Sequence, residues 1–206
     1  MITLRYTPEG EPSGRLALVG KGIMYDSGGL GIKPNDRVHA QMKNDMSGAA
    51  AVFASMLVLR ELGCAAQVTG YLMCTDNMPS STAMALGDVI RIRGGKTVEV
   101  TDTDAEGRLV MSDALVLAQE EGHDAVVDIA TLTGAALRAL GADIAPIFGN
   151  DPALVERIEA ASADTGELVW EMPLHAPYFS QLKSDTADMI NVGYGNAGAI
   201  TAALFL

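Results

Sequence analysis

Short apolar runs alternate along this chain with polar, glycine-rich stretches. Leu16–Gly20 (LALVG) reads as a buried strand that ends at glycine, and residues 20–37 read as a loop rich in glycine. From Ser47 to Leu62 small and apolar residues recur at helical spacing, and Gly63 ends the helix. Val68–Cys74 is an apolar strand, followed by a loop over residues 75–88. Val89–Arg93 and Thr97–Val100 flank Gly94-Gly95, which predicts a hairpin. Leu109–Gln119 reads as a helix, Ala125–Ala130 as a strand, Ala145–Phe148 as a short strand, and Leu154–Ala163 as a helix opened by Asp151-Pro152. The closing residues ITAALFL sit within an apolar helical pattern that has no cap, which suggests a piece of a longer protein. Strands alternating with helices predict an α/β fold: three layers, α/β/α, around a central mixed, largely parallel sheet covered on both faces. Sites in such sheets lie on loops beyond the strand ends. The two polar, glycine-rich loops, 20–45 and 101–108, are therefore the places to look for chemistry.

Composition narrows the classes. With 206 residues, 49% hydrophobic and 19% charged, the chain can bury the core of one domain, so disorder is excluded. Its formal charge of −12 repels phosphate backbones, which makes nucleic acid a poor partner and cations good ones. Cys64 and Cys74 are too few for a disulfide scaffold, and reduced thiols fit a cytoplasmic protein. The longest apolar run, Ala49 to Leu59, is too short to cross a bilayer, and no signal peptide opens the chain. A membrane role is not expected.

Several familiar devices fail. Gly14 to Lys21 imitates a P-loop but has the wrong glycine spacing, and Gly22 stands where a magnesium-binding hydroxyl belongs. Gly193, Gly195 and Gly198 match a dinucleotide fingerprint, yet no second strand or acidic ribose partner follows. His39, His123 and His175 are isolated, so histidine-based zinc chemistry is excluded. Oxygen chemistry remains. Asp104, Glu106 and Arg108 stand at alternate positions and would share one face of an extended segment. Lys21, Asp26, Lys33 and Asp45 lie in the first loop. The four carboxylates carry a charge that two divalent cations would balance, as in a dinuclear hydrolase, and hard oxygen ligands suit zinc, manganese or magnesium. The alternative is a solvated charged turn.

Three stretches carry more: LVGKGIMYDSGGLGIKP (residues 18–34), MKNDMSGAAAV (42–52) and TDAEGRLVMSDAL (103–115). Together with Asn77-Met-Pro-Ser80, Ala130–Gly134 and Gly198–Leu206, in order along nearly the whole chain, they resemble the catalytic domain of the leucyl (cytosol) aminopeptidases. The resemblance implies a zinc-peptidase-like fold and a two-metal exopeptidase acting on peptides with a free N-terminus, often leucine. Asp26 and Glu106 would bridge both metals, Asp104 would complete the exchangeable site, and Lys21 and Asp45 the tighter one. A lysine ligand must be a neutral amine, so the nearby cations would have to lower its pKa strongly. A metal-bridged hydroxide would attack the scissile carbonyl, Lys33 would polarise it, and Arg108 would hold a bicarbonate as general base. Met42, Thr131, Gly134 and Ala199 match positions lining the first side-chain pocket, while Leu132 and Thr133 would bond the peptide backbone.

The resemblance also implies a homo-oligomer, a hexamer of two stacked trimers. Two departures stand out. Asp102 replaces the usual asparagine, placing an extra carboxylate near the site and its substrate, and Leu86 replaces a proline. Residues 1–206 then form a catalytic metallopeptidase domain without the family's N-terminal domain and extreme C-terminal segment. The competing expectation is a catalytically silent homologue that acts through assembly. The complete set of costly clustered carboxylates favours the enzyme.

Overall fold

The structure is a computed structural model that describes residues 1–206. Its central sheet has the order β1-β3-β2-β6, with β1 Ile2–Tyr6, β2 Arg15–Asp26, β3 Gln67–Asn77 and β6 Ala125–Ile129. β2 runs parallel to both β3 and β6, and β1 adds an antiparallel edge to β3. Alternating residues of the central strands face opposite layers. Ala17, Val19, Tyr71 and Met73 pack on Met111, Ala114 and Ala118 of α3 (Gly107–Glu120). Leu72, with Leu18 and Leu4 beside it, packs on Ala49 and Val52 of α2 (Ser47–Val58). These are the three layers expected from the alternation of strands and helices.

Smaller units surround them. The hairpin of β4 (Val89–Arg91) and β5 (Thr97–Glu99) gains a parallel strand, β9 (Met189–Ile190), around a core of Val98, Leu109, Leu182 and Phe205. A second parallel pair, β7 (Ala145–Ile147) and β8 (Val169–Glu171), packs with α4 (Gly134–Leu140) and α5 (Pro152–Thr165). Asp151 caps α5, accepting from the Ala153 N–H at 3.0 Å, with Pro152 in its first turn. A short α1 (Arg37–Ala40) and a 3-10 turn (Met42–Asn44) precede α2, a longer 3-10 segment (Ala176–Leu182) precedes β9, and α6 (Gly198–Phe205) closes the chain. No helix is long and apolar enough to cross a membrane.

The sequence pattern underestimates β2. It predicts a strand that stops at Gly20, whereas the strand continues through Lys21 and Gly22 to Asp26. The reason is packing. A Cβ on Gly20 would stand 2.6 Å from the Ala49 Cα, and one on Gly48 would stand 2.0 Å from the Ile129 carbonyl oxygen. These glycines are contact points between β2, β6 and α2 rather than turn formers. β1 escapes notice because its residues are mostly exposed, and β8 and β9 are too short for a period to register. Helix α2 ends at Val58, short of the expected Leu62, and the remainder unwinds into the turn at Gly63.

Gly48→Ala tests this contact. The added methyl must push α2 off the sheet, which should cost about 1–3 kcal/mol and lower the melting midpoint by roughly 2–12 °C. An unchanged midpoint in a thermal melt would show that α2 can shift freely.

Candidate metal centre

Lys21, Asp26, Lys33, Asp45, Asp104 and Glu106 converge beside the C-terminal ends of β2 and β3, with Arg108 near enough to feel the charges of Glu106 and Asp102. Lys21 lies on the face of β2 that carries Ala17 and Val19, so its side chain runs toward the start of α3. Its ammonium meets Asp45 Oδ2 at 2.7 Å, Glu106 Oε1 at 3.0 Å and the Thr131 carbonyl at 3.2 Å. A Cβ at residue 107 would approach Lys21 Cε to 2.4 Å, so glycine there opens the lysine's path. Farther along β2 the register shifts between Ile23 and Asp26, and Asp26 comes to pair with Asn77 of β3. Asp45 sits in the turn before α2, where its carboxylate accepts from Thr131 Oγ1 at 2.8 Å. Lys33 reaches back from the glycine loop to Asp26 Oδ2 at 2.9 Å and also contacts Asp104.

Burial sets the electrostatics. Asp26, Asp45 and Glu106 are all buried, and one oxygen from each lies within 4.8 Å of the others. Burial pushes the Glu106 carboxyl up to about 7, with Lys21 opposing the shift and the charge of Asp26 adding to it. Burial likewise raises Asp45 and Asp104. For Lys21, burial pulls the ammonium down, but Glu106 and Asp45 more than offset this and the net shift is upward. Four carboxylates against two ammoniums leave a deficit of positive charge. Asp45 Oδ2, Asp104 Oδ1 and Glu106 Oε1 are buried and receive no well-directed hydrogen bond, although each has a lysine at ion-pair distance. Buried oxygens in that condition, in an all-oxygen set with one amine, fit divalent cations.

One expectation is corrected. Asp104, Glu106 and Arg108 do not share an extended face, because Glu106 already has helical backbone angles and Arg108 lies in the first turn of α3. Its guanidinium donates to the Asn191 carbonyl at 2.8 Å and lies 5.9 Å from the centre of the Phe205 ring. Burial lowers its pKa to about 10, which still leaves it charged at neutral pH, and its Nε has no partner. The lysines divide the other two residues, Asp104 pairing with Lys33 and Glu106 with Lys21.

The remaining expected residues frame this centre. Thr131 touches both Lys21 and Asp45. Thr133 spends its hydroxyl capping α4, accepting from the Ala136 N–H at 3.3 Å, and Gly134 opens that helix. Leu132 is half-buried between them. Ala199 is buried at the start of α6, where a Cβ on Gly198 would touch Ala135 of α4 at 3.3 Å. Met42 is half-buried, and its carbonyl accepts the Asp45 N–H at 3.4 Å. Asp102 Oδ1 accepts from the Asp104 N–H at 2.9 Å, so the extra carboxylate orients the loop.

Three residues without an assigned role from sequence hold the centre together. Asn77 donates to Asp26 and Glu106. Thr103, fully buried, donates to the Gly28 carbonyl and accepts from the Gly31 N–H at 2.8 Å. Asn191, also fully buried, accepts from the Thr101 and Asp102 N–H groups and donates to the Asp102 carbonyl. The available signal was position: Asn77 and Asn191 are polar residues at or just beyond the C-terminal ends of apolar strands.

The sequence and the fold resemble those of known proteins. The profile of the cytosol aminopeptidase family, catalytic domain, matches residues 1–206. A probable cytosol aminopeptidase of Chlorobium luteolum is 49% identical over 202 residues, which are 98% of this chain and 40% of that protein. One from Desulfovibrio desulfuricans is 50% identical over 208 residues, covering all of this chain and 41% of that protein. The chain thus spans about two fifths of the length of these relatives. Among solved structures, the bottromycin maturation enzyme BotP superposes with a TM-score of 0.92 at 44% identity, covering 99% of this chain and 43% of that one. The same enzyme in complex with Mn gives a TM-score of 0.93 at 44% identity, covering 98% and 44%. With its whole length matched by that profile and half its residues shared with such relatives, this chain belongs to the cytosol aminopeptidase family and corresponds to its catalytic domain.

Proposed function

We propose that this chain carries the active centre of a metal-dependent aminopeptidase that removes N-terminal, leucine-like residues from peptides. The observation behind this reading is the buried convergence of Asp26, Asp45 and Glu106, with carboxylate oxygens left without directed hydrogen bonds. The relative solved with Mn points the same way, and zinc or magnesium suits the same donor set. Asp26 and Glu106 would hold both ions, with Asp104 on one side and Lys21 and Asp45 on the other. Bound there, the ions would supply Lewis acidity toward water and the scissile carbonyl.

The chain's own groups do the rest. With the ions balancing the four carboxylates of the centre, Asp102 leaves one further carboxylate beside it to attract the ammonium of a peptide N-terminus. Lys33 is the more accessible of the two lysines, its side chain 15% exposed against 4% for Lys21, so it is the one that can reach a substrate carbonyl and stabilise the oxyanion. Arg108 offers a buried, charged guanidinium with a free Nε, which fits a small anion such as bicarbonate placed to accept a proton. Met42, Thr131, Gly134 and Ala199 would line an adaptable pocket for the first side chain, and Leu132 and Thr133 would bond the peptide backbone. Exposed apolar residues on α2 and in the turn after it, including Phe53, Leu57 and Leu62, support a homo-oligomer, with the family's hexamer as the expected form, and a cytoplasmic enzyme is the expected setting. Light scattering should then give a mass that is a multiple of 21.5 kDa; a monodisperse 21.5 kDa species overturns the oligomer.

Calorimetry tests the ion site. About two equivalents of Mn should bind. Binding must release the Lys21 proton and any proton held by Glu106, whose carboxyl burial pushes up to about 7. Affinity should therefore rise with pH between about 6 and 8, and heats measured in buffers of different ionisation enthalpy should report the released protons. No binding, or binding without proton release, sinks this assignment.

Hydrolysis of a leucine chromogenic amide, with and without Mn, tests the activity itself. Lys33→Ala should bind the metals and lose roughly 10²–10³ in turnover. Arg108→Ala should bind them too, turn over more slowly and lose any response to bicarbonate. If Arg108→Ala keeps full activity and full bicarbonate response, its assigned role is wrong.

A further inference from the structure

Asn77 ends β3 directly opposite Asp26, and it is buried, with 7% of its surface exposed. Its side-chain nitrogen lies 2.8 Å from Asp26 Oδ1, 3.1 Å from Glu106 Oε2 and 3.0 Å from the Thr103 carbonyl. Three acceptors from two separate segments, the end of β2 and the loop before α3, meet one amino group and share its two hydrogens. That assigns the orientation of the amide, because a side-chain oxygen turned the same way would face two carboxylates and a carbonyl without a proton to share. Its backbone is engaged as well: the Asn77 carbonyl accepts from the Ser27 N–H at 2.9 Å and from Ser27 Oγ at 2.7 Å. The residue is thus fixed to the turn that follows Asp26 while its side chain ties Asp26 to Glu106.

We infer that Asn77 is a positioning residue for the metal centre, setting the relative orientation of the Asp26 and Glu106 carboxylates. The inference rests on the metal-centre reading above. Two anions held side by side in a buried site repel each other and would rotate apart. A shared neutral donor pulls one oxygen of each toward a common point without adding a charge. The remaining oxygens, Asp26 Oδ2 and Glu106 Oε1, are then turned toward Lys33 and Lys21, where cations would be received. No other uncharged side chain donates to both of these carboxylates. Lysine or arginine in this place would neutralise the pair and compete with the ions. Aspartate would add a further negative charge. An asparagine of this reach orients the two groups and leaves their charge for the metal.

Outer-shell partners of this kind typically contribute 10–100-fold in metal affinity. Mn titration by calorimetry of the parent and Asn77→Ala reads this directly, without recourse to activity. Asn77→Ala should bind Mn about 10–100-fold more weakly, and raising the Mn concentration should restore turnover of the leucine amide toward the parent's value. A purely structural role would instead lower the melting midpoint in EDTA while leaving Mn affinity and the Mn dependence of turnover unchanged, and that result overturns the inference. If the parent binds no Mn, the metal-centre reading falls and the inference falls with it. If the parent binds two ions and the variant binds them equally well, only the inference falls. Should Asn77→Ala lose its cooperative melt, Asn77→Ser, which keeps one shorter donor, takes the same titration. It should still bind more weakly than the parent, and equal binding overturns the inference.

Discussion

The centre of this molecule depends on burying more negative charge than its own lysines neutralise. Lys21 is squeezed between Asp45 and Glu106, and Lys33 between Asp26 and Asp104. Taking such groups out of water is costly unless they are paired, and here the pairing is incomplete by design of the residue count. The surrounding fold serves to hold that imbalance in place. Gly107 gives Lys21 room, Thr131 holds Asp45, and the shift in β2 swings Asp26 toward Asn77. Weakening any of these would let the carboxylates turn outward to water.

The sheet supplies rigidity where the site needs it. β2 is one of the two inner strands of the central sheet, bonded to β3 and β6, and it carries both Lys21 and Asp26. Helix α3 then holds Glu106 at its N-terminal cap position, and the loop before it is held by Asn191, just beyond β9. A carboxylate on a free loop could relax toward solvent. One anchored to an inner strand or to a helix start cannot, and buried charge persists only where relaxation is blocked.

Much of this was legible in the sequence, for identifiable reasons. The alternation of apolar runs with amphipathic helices announced the layers, and the unusual density of charge among glycines marked the two loops that meet. What stayed hidden was decided by tertiary contact. Gly20 and Gly22 read as breakers because the nearness of Ala49 cannot be seen along one chain. Arg108 seemed to belong to the face of Asp104 and Glu106 because the helix start at Gly107 falls between them. Asn77 and Asn191 looked like ordinary polar residues at strand ends, since an amide has no spacing rule and shows its use only when its acceptors come from elsewhere.

The separation of these partners along the chain has a consequence for how the protein matures. Lys21 meets Asp45 across 24 residues but reaches Thr131 across 110, and Asn77 reaches Glu106 across 29. Contacts this distant close only after the intervening strands have docked, because loop-closure entropy must be met before they form. A chain made only as far as residue 103 lacks both Asp104 and Glu106, so a half-made chain has no complete set of carboxylates in which a cation could lodge.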